Sequence, residues 1–91
     1  MIRIDRLLCL LRLTRTRSIA QRLVAEGHIR RNGERVTNDA TRVDIGDILT
    51  LPLANQVHVI ELLSLPERRG PAAEARAHYR QLEPQSLDPA G

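Results

Sequence analysis

The spacing of apolar residues predicts that the chain begins with a helix over residues 4–13. Apolar side chains recur there at intervals of three and four residues, which places them on one face of an α-helix. These residues are Ile4, Leu7, Leu8 and Leu11. Asp5 lies near the helix start, where a negative charge interacts favourably with the helix dipole. The polar residues 14–17 then separate this helix from the next.

A second helix is predicted over residues 17–26. Its apolar face consists of Ile19, Ala20, Leu23 and Val24. Either Thr16 or Ser18 can cap its start, and Gly27 suits the left-handed position that often ends a helix. We expect the two helices to pack against each other through Leu7, Leu8, Leu11, Leu23 and Val24.

After the second helix the pattern changes to short strands. Asn32-Gly33 is a strong signal for a two-residue hairpin turn, and Ile29 and Val36 flank it. The elements predicted beyond this hairpin are strands at Ile48–Leu51 and Val57–Leu63 and a last helix at about residues 72–82. This order predicts an α+β fold, in which two N-terminal helices pack on a small, mostly antiparallel sheet and a C-terminal helix follows.

Positive charge is concentrated in the first half of the chain. The 91 residues carry a formal net charge of +3, but residues 1–44 hold ten Arg against five acidic residues, a net of +5. Residues 45–91 hold four Arg against six acidic residues, a net of −2. All 14 basic residues are Arg, which suits bidentate phosphate recognition. Coding bias in a GC-rich genome also favours Arg, but it does not explain where the Arg residues lie. A polyanion is therefore the expected partner.

Composition argues against several other classes of function. Cys9 is the only cysteine, which together with the lack of a signal-peptide pattern indicates a reduced cytoplasmic compartment. The apolar run 7–11 is too short to span a membrane. His28, His58 and His78 lie far apart and match no metal-ligand spacing, and no nucleophile–base set or phosphate-binding glycine loop is visible. We expect no cofactor, no metal, no small-molecule substrate and no enzymatic activity.

The arginines of the helical region lie at positions that are unfavourable for interaction with the helix dipole. No acidic residue lies between Asp5 and Glu26, a stretch that contains Arg6, Arg12, Arg15, Arg17 and Arg22. A helix start favours acidic side chains and a helix end favours basic ones. The second helix shows the reverse, because Arg15 and Arg17 flank its start and Glu26 lies at its end. A phosphate bound at that start would explain the reversal, so we expect Arg15 and Arg17 to serve a ligand and not the fold.

The hairpin places further arginines together. With Asn32-Gly33 as the turn, Arg30 and Arg35 face each other across the two strands, and like charges in that position are destabilising unless something screens them. Arg31 adjoins this pair. Two of the arginines also have a structural interpretation: Arg31 can pair with its cross-strand neighbour Glu34, and Arg22 can pair with Glu26.

The first half of the chain resembles a known RNA-binding module. The residues that carry the resemblance are Arg3-Ile4-Asp5-Arg6-x-Leu8, then Thr16-Arg17-Ser18-x-Ala20-x-x-Leu23-Val24-x-x-Gly27-His28-Ile29-x-x-Asn32-Gly33, then Val43-x-x-Gly46-Asp47-Ile48. Over residues 2–51 this pattern is similar to the S-four RNA-binding domain. The resemblance implies that two helices and the following strands form the alpha-L RNA-binding motif of that family. It also implies an S-four-type domain at residues 1–65, followed by an extension with a helix at 66–82. Residues 83–91 are short, polar and Pro-containing, and we expect them to form a disordered tail.

The resemblance and the charge argument together give a set of candidate RNA-binding residues. The resemblance places Arg6, Arg12, Arg15, Arg17, Gln21 and Arg22 on or beside the RNA face. Ser18 is part of the matched motif, and the hairpin adds Arg30, Arg31 and Arg35. With a single aromatic residue in the chain, contacts with RNA are expected to rely on charge and hydrogen bonds and not on base stacking.

Residues 66–79 narrow the resemblance. Pro66-x-x-Arg69-x-Pro71-Ala72-x-Glu74-Ala75-x-x-x-Tyr79 is similar to the segment after this domain in the fifteen-kilodalton bacterial heat-shock protein family. That family implies a structured rRNA or tRNA as ligand, binding to the large ribosomal subunit, and a role in rescuing stalled subunits. The alternative is a protein-interaction module, in which the aliphatic faces and the last helix bind a partner and the arginines only solubilise the chain.

Overall fold

The computed structural model describes residues 1–53 and 55–82, and it contains the two predicted N-terminal helices followed by strands. In chain order the elements are β1 (Ile2–Arg3), α1 (Ile4–Leu10), α2 (Arg17–Ala25), β2 (Arg30–Arg31), β3 (Glu34–Arg35), β4 (Arg42–Val43), β5 (Ile48–Leu53), β6 (Gln56–Leu62), α3 (Ala72–Arg76) and β7 (Tyr79–Leu82). The predicted α+β fold is confirmed. The disorder expected for residues 83–91 lies outside the described residues.

Helix α1 ends earlier than the predicted residue 13. Arg12 has a φ of +61°, a left-handed conformation that terminates the helix. The Arg12 amide donates to the carbonyl of Cys9 at 3.0 Å, and the Leu13 amide donates to that of Leu8 at 3.0 Å. These two hydrogen bonds form a Schellman motif, in which the left-handed position usually holds glycine. The apolar spacing did not reveal this stop because the position is occupied by Arg.

Helix α2 begins and ends close to its predicted boundaries. Thr16, not Ser18, caps the start, because its hydroxyl accepts a hydrogen bond from the Ile19 amide at 3.2 Å. Gly27 follows the helix with a φ of +76°, as its sequence position predicted.

The strands form two antiparallel sheets. β1 pairs with β4, and the larger sheet has the strand order β3-β2-β5-β6-β7. The predicted hairpin is confirmed: Arg30 lies opposite Arg35 and Arg31 lies opposite Glu34. Both Asn32 and Gly33 have positive φ, as a type I′ turn requires.

The C-terminal part corrects the sequence interpretation. A helix was expected over residues 72–82, but α3 ends at Arg76 and the chain continues as strand β7. Tyr79 lies opposite Leu62 of β6, so the open edge of β6 gives this segment a partner for its backbone hydrogen bonds. The spacing of Ala75, Tyr79 and Leu82 fits a helix equally well, and pairing with a distant strand decides between the two.

The hydrophobic core joins both helices to the larger sheet. Its largest fully buried apolar side chains are Ile4, Leu7, Leu8, Leu11, Val24, Ile29, Val43, Leu49, Leu51, Ile60 and Leu62. Of the expected helix-packing residues, only Leu23 is partly exposed, and it still packs against this core. Within the described residues, no helix has the length and apolar character needed to cross a membrane.

Candidate nucleic-acid interface

The helical region is organised around the buried carboxylate of Asp5. This side chain is the second residue of α1 and has no exposed surface. Arg17 donates to it through Nε at 3.1 Å and through Nη2 at 3.4 Å, and Gln21 donates through Nε2 at 3.0 Å. Because Arg17 and Gln21 are four residues apart on α2, both reach the same point. The carboxylate therefore joins the start of α1 to one face of α2.

Two more donors complete the coordination of Asp5. Arg3 in β1 donates through Nε and Nη2, both at 3.2 Å, and the Arg6 amide donates at 2.7 Å. Arg3 also forms an ion pair with Asp39 at 3.5 Å. We use the name Asp5 cluster for Arg3, Asp5, Arg17 and Gln21.

The pKa of Asp5 reflects this environment. Burial alone raises the pKa of a carboxyl group, because it disfavours the charged form. The hydrogen bonds from Gln21, Arg17, Arg3 and the Arg6 amide outweigh burial, so the pKa of Asp5 lies below its ordinary value of 3.8. Asp5 is therefore negatively charged at neutral pH.

The Asp5 cluster changes the interpretation of Arg17. The sequence argument treated Arg15 and Arg17 alike, as cations that the fold does not need. The structure shows that Arg17 satisfies a buried carboxylate and therefore supports the fold. Sequence reasoning gave Asp5 only a favourable interaction with the helix dipole, and it named Arg3 only as part of the matched motif. A signal was present, since Asp5 is the only acidic residue among the first 25 and is surrounded in sequence by Arg.

Arg6 and Arg12 face the segment between β6 and α3. Arg6 donates through Nη2 to the carbonyl of Glu67 at 3.4 Å, and Arg12 donates through Nη1 to the carbonyl of Gly70 at 2.9 Å. Both residues remain exposed at the surface. Neither contact neutralises their charge, because a carbonyl oxygen is not a counter-ion.

Arg15 and Arg22 are exposed, and within the described part of the chain their side chains form neither an ion pair nor a hydrogen bond. The pair between Arg22 and Glu26, which the sequence offered as a structural interpretation, is not observed, and Glu26 Oε1 instead lies 3.7 Å from His28 Nε2. Ser18 is exposed in the first turn of α2. The side chains of Arg15, Ser18 and Arg22 are therefore accessible to solvent.

The three arginines of the hairpin make different contacts. Arg30 and Arg35 face each other as predicted, and Arg30 donates through Nη1 to the carbonyl of Gly33 at 3.2 Å. Arg35 extends towards the end of α2, where a Cβ placed on Gly27 would lie 3.4 Å from its Cδ. The hairpin arginines thus adjoin the helix pair through Arg35.

Arg31 pairs with a different residue from Glu34, which the sequence offered as its structural partner. Its Nε donates to Asp47 at 2.8 Å, although Glu34 is its cross-strand neighbour. Asp47 also accepts hydrogen bonds from Asn32 and from the Asp44 amide. Burial raises the pKa of Asp47. The hydrogen bonds and the charge of Arg31 lower the pKa by more than burial raises it, so the pKa of Asp47 lies below its ordinary value of 3.8. This ion pair fixes the hairpin to the turn before β5.

No group of three or more His, Cys, Asp or Glu residues within the described ranges could hold a metal ion. An open depression of about 350 Å³ lies between α2 and residues 37–39, and polar side chains line much of it. The arrangement of exposed guanidinium groups is suited to binding phosphate.

Comparison with known proteins adds an independent observation. The family model described as the S4 domain, the S-four module, matches residues 2–49. The Heat shock protein 15 homolog of Haemophilus influenzae is 30% identical over 82 residues, which cover 90% of this chain and 62% of that protein. Heat shock protein 15 of Escherichia coli K12 is 29% identical over 80 residues, which cover 88% of this chain and 59% of that protein. The chain thus spans less than two thirds of the length of these relatives.

A solved structure agrees with these sequence relationships. Heat Shock Protein 15 of Vibrio cholerae, described as trimeric, superposes with a TM-score of 0.87 at 29% sequence identity. The superposition covers 96% of this chain and 87% of the other. The similarity therefore includes the segment from β6 to β7 as well as the part matched by the family model.

Proposed function

The chain belongs to the S4 domain family of RNA-binding proteins, and on that premise we propose that it binds a structured RNA through the arginines of its helix pair and hairpin. One observation carries this proposal. The only acidic residue among the first 25 is buried, so the surface formed by these residues exposes positive charge without an exposed carboxylate of its own. Such a surface favours a polyanion.

The proposed contacts are mainly to phosphate. Arg6, Arg12, Arg15, Arg17 and Arg22 supply guanidinium groups along the helix pair, and Ser18 and Gln21 lie among them. Arg30 and Arg35 extend the surface into the hairpin, where the phosphate of the RNA would screen their mutual repulsion. Arg31 contributes less in this proposal, because Asp47 already compensates its charge.

The finer proposal concerns the identity of the RNA. We propose that the ligand is ribosomal RNA of the large subunit and that the protein acts in the cytoplasm in a heat-shock or ribosome-rescue role. The names of the relatives and the similarity of residues 66–79 to the heat-shock family support it. No catalytic step is proposed, because RNA binding alone accounts for the arrangement.

The salt dependence of binding tests the phosphate-led mechanism. With about five phosphate contacts, the slope of log affinity against log salt should be about −3.5 to −4.5, at about 0.7–0.9 per contact. The measurement is a titration of a folded RNA hairpin at several salt concentrations. A slope near zero would contradict the proposal.

Co-sedimentation tests the ribosomal ligand separately. Purified large and small subunits are mixed with the protein and pelleted at moderate salt. Preferential retention on the large subunit supports the finer proposal. Equal retention on both subunits would contradict it while leaving general RNA binding intact.

A protein-interaction role is the second candidate, and one observation favours it. Ile48 and Val57 are exposed on the face of the larger sheet that points away from the core, and the Vibrio cholerae relative is trimeric. The last helix supports this role less than expected, since it has five residues and buries only Ala75. Sedimentation equilibrium distinguishes the candidates, because a self-associating module would form oligomers without RNA.

A further inference from the structure

A buried carboxylate within a basic, RNA-facing surface needs an explanation. Asp5 has no exposed surface, yet two guanidinium groups and an amide converge on it. A negative charge at this location should weaken the binding of a polyanion. A buried ion pair is also weak support for stability, because well-packed apolar residues often serve as well.

The geometry of Arg17 suggests what the carboxylate does. Arg17 uses Nε and Nη2 to hold Asp5, and within the described residues its Nη1 forms no hydrogen bond. The side chain is 45% exposed. One edge of the guanidinium is therefore fixed on the carboxylate, and the edge that carries Nη1 remains available to a ligand. An arginine has five N–H donors, so it can bind two anions at once.

We infer that Asp5 is a positioning residue for RNA binding, which acts by orienting Arg17 so that the free edge of its guanidinium meets an RNA phosphate. The inference rests on the proposed function. An unrestrained arginine side chain loses conformational freedom when it binds a ligand. Asp5 removes that freedom in advance, since it fixes the guanidinium through two hydrogen bonds. Gln21 and Arg3 hold the carboxylate itself in place.

The charge of Asp5 gives the test a clear sign. Asp5→Asn removes a negative charge from the binding surface, so electrostatics alone predicts tighter RNA binding. The positioning role predicts the opposite, about fivefold to tenfold weaker binding, within the range of coupling between contacting residues. Glu26→Gln is the matched control, because it removes one exposed negative charge next to the same helix. It should bind RNA as tightly as the parent or more tightly.

A double-mutant cycle identifies the residue through which Asp5 acts. The probe is a folded RNA hairpin at fixed salt, and circular dichroism verifies that each variant is folded at the titration temperature. The effect of Asp5→Asn should disappear in an Arg17→Gln background and persist in an Arg15→Gln background. Tighter binding by Asp5→Asn, or an equal effect in both backgrounds, would overturn the inference.

A second pair of variants covers the case in which Asp5→Asn does not fold. Arg17→Lys and Arg15→Lys both keep the charge, but lysine cannot hold a carboxylate with one edge and present another to phosphate. Arg17→Lys should weaken binding at least about fivefold, and Arg15→Lys should weaken it by a smaller factor, because no carboxylate of the described residues orients Arg15. Equal losses would overturn the inference. If the parent protein itself does not bind RNA, the proposed function is wrong. That result can be distinguished from the variant results above, which test only the positioning role of Asp5.

Discussion

The helix pair and the hairpin each hold arginine on a carboxylate, but they balance the charge differently. In the helix pair, Asp5 binds both Arg3 and Arg17 and is fully buried. Beside the hairpin, Asp47 pairs with one arginine of the described residues, Arg31, and the Asp47 side chain is 13% exposed. Asp39 compensates the charge of Arg3, so the excess positive charge of the helix pair comes from its other arginines, Arg6, Arg12, Arg15 and Arg22, for which the described residues show no ion pair. Arg31 and Asp47, in contrast, form a neutral pair.

This difference separates two uses of arginine within one small domain. Arg31 and Asp47 form a local connection whose charges cancel, so the pair contributes to the fold and little to the surface potential. Arg17 satisfies Asp5 and still exposes nearly half of its side chain. One arginine can therefore both support the fold and expose N–H donors to a ligand. Classifying each residue as either structural or functional would miss this.

The largest expected effect on stability comes from removing the two carboxylates. Asp5→Ala should lower the free energy of unfolding by about 2–3 kcal/mol, because it leaves Gln21 and two guanidinium groups without their acceptor. Asp47→Ala should lower the free energy of unfolding by about 1 kcal/mol, since Asp47 accepts from one guanidinium group and is partly exposed. Urea unfolding measures both. Equal costs would remove the contrast between the two regions.

The next largest change in stability is expected to differ between the two arginines at the start of α2. Arg17→Glu should destabilise the protein by about 1–2 kcal/mol, because a like charge replaces the donor to Asp5. Arg15→Glu should change stability by less than about 0.5 kcal/mol, as is usual for an exposed side chain. Thermal melting checks this prediction. Similar melting temperatures for both variants would mean that the pair between Arg17 and Asp5 contributes nothing.

Acid should weaken both regions through the same mechanism. The folded pKa values of Asp5 and Asp47 lie below 3.8, so the unfolded chain takes up protons first as the pH falls. The stability from these carboxylates is therefore complete above pH 3.8 and is lost as the pH falls further, through the folded values. Urea unfolding at a series of pH values should show this loss in the parent. The loss should be smaller in Asp5→Asn and Asp47→Asn, and an unchanged profile in both would contradict the account.

The smallest effect concerns Arg12, where backbone and side chain have opposing requirements. Its left-handed conformation favours glycine, but its side chain donates to the carbonyl of Gly70. Arg12→Gly should therefore change stability by less than about 1 kcal/mol, because relief of the backbone strain offsets the lost hydrogen bond. Chemical unfolding provides the value, and a cost above about 2 kcal/mol would show that the contact with Gly70 dominates.

Local patterns in the sequence were sufficient to predict part of this structure. The turn at Asn32-Gly33 fixed the hairpin register, and Arg30 therefore faces Arg35 as expected. The packing of α1 on α2 followed from the apolar spacing. In each case the interacting residues are close in sequence or share a single periodic pattern.

Contacts between distant residues explain what the sequence did not predict. Arg17 lies twelve residues from Asp5, and Arg31 lies sixteen from Asp47, so neither partner follows from spacing along one element. The segment at Tyr79–Leu82 became a strand because β6 offered an open edge. The left-handed turn at Arg12 lacked its usual glycine. The candidate site was therefore predictable as a set of charges, but not as a geometry.

Charge removal from the two halves of the chain tests the central claim most directly. Arg15→Gln/Arg22→Gln removes two exposed charges from the helix pair, and Arg76→Gln/Arg80→Gln removes the same charge from α3 and β7. Titration of a folded RNA hairpin at fixed salt should show about a tenfold to hundredfold loss of affinity for the first variant. The second should bind within about threefold of the parent. Equal losses in the two variants, or no loss in the first, would contradict the placement of the RNA-binding surface on the helix pair.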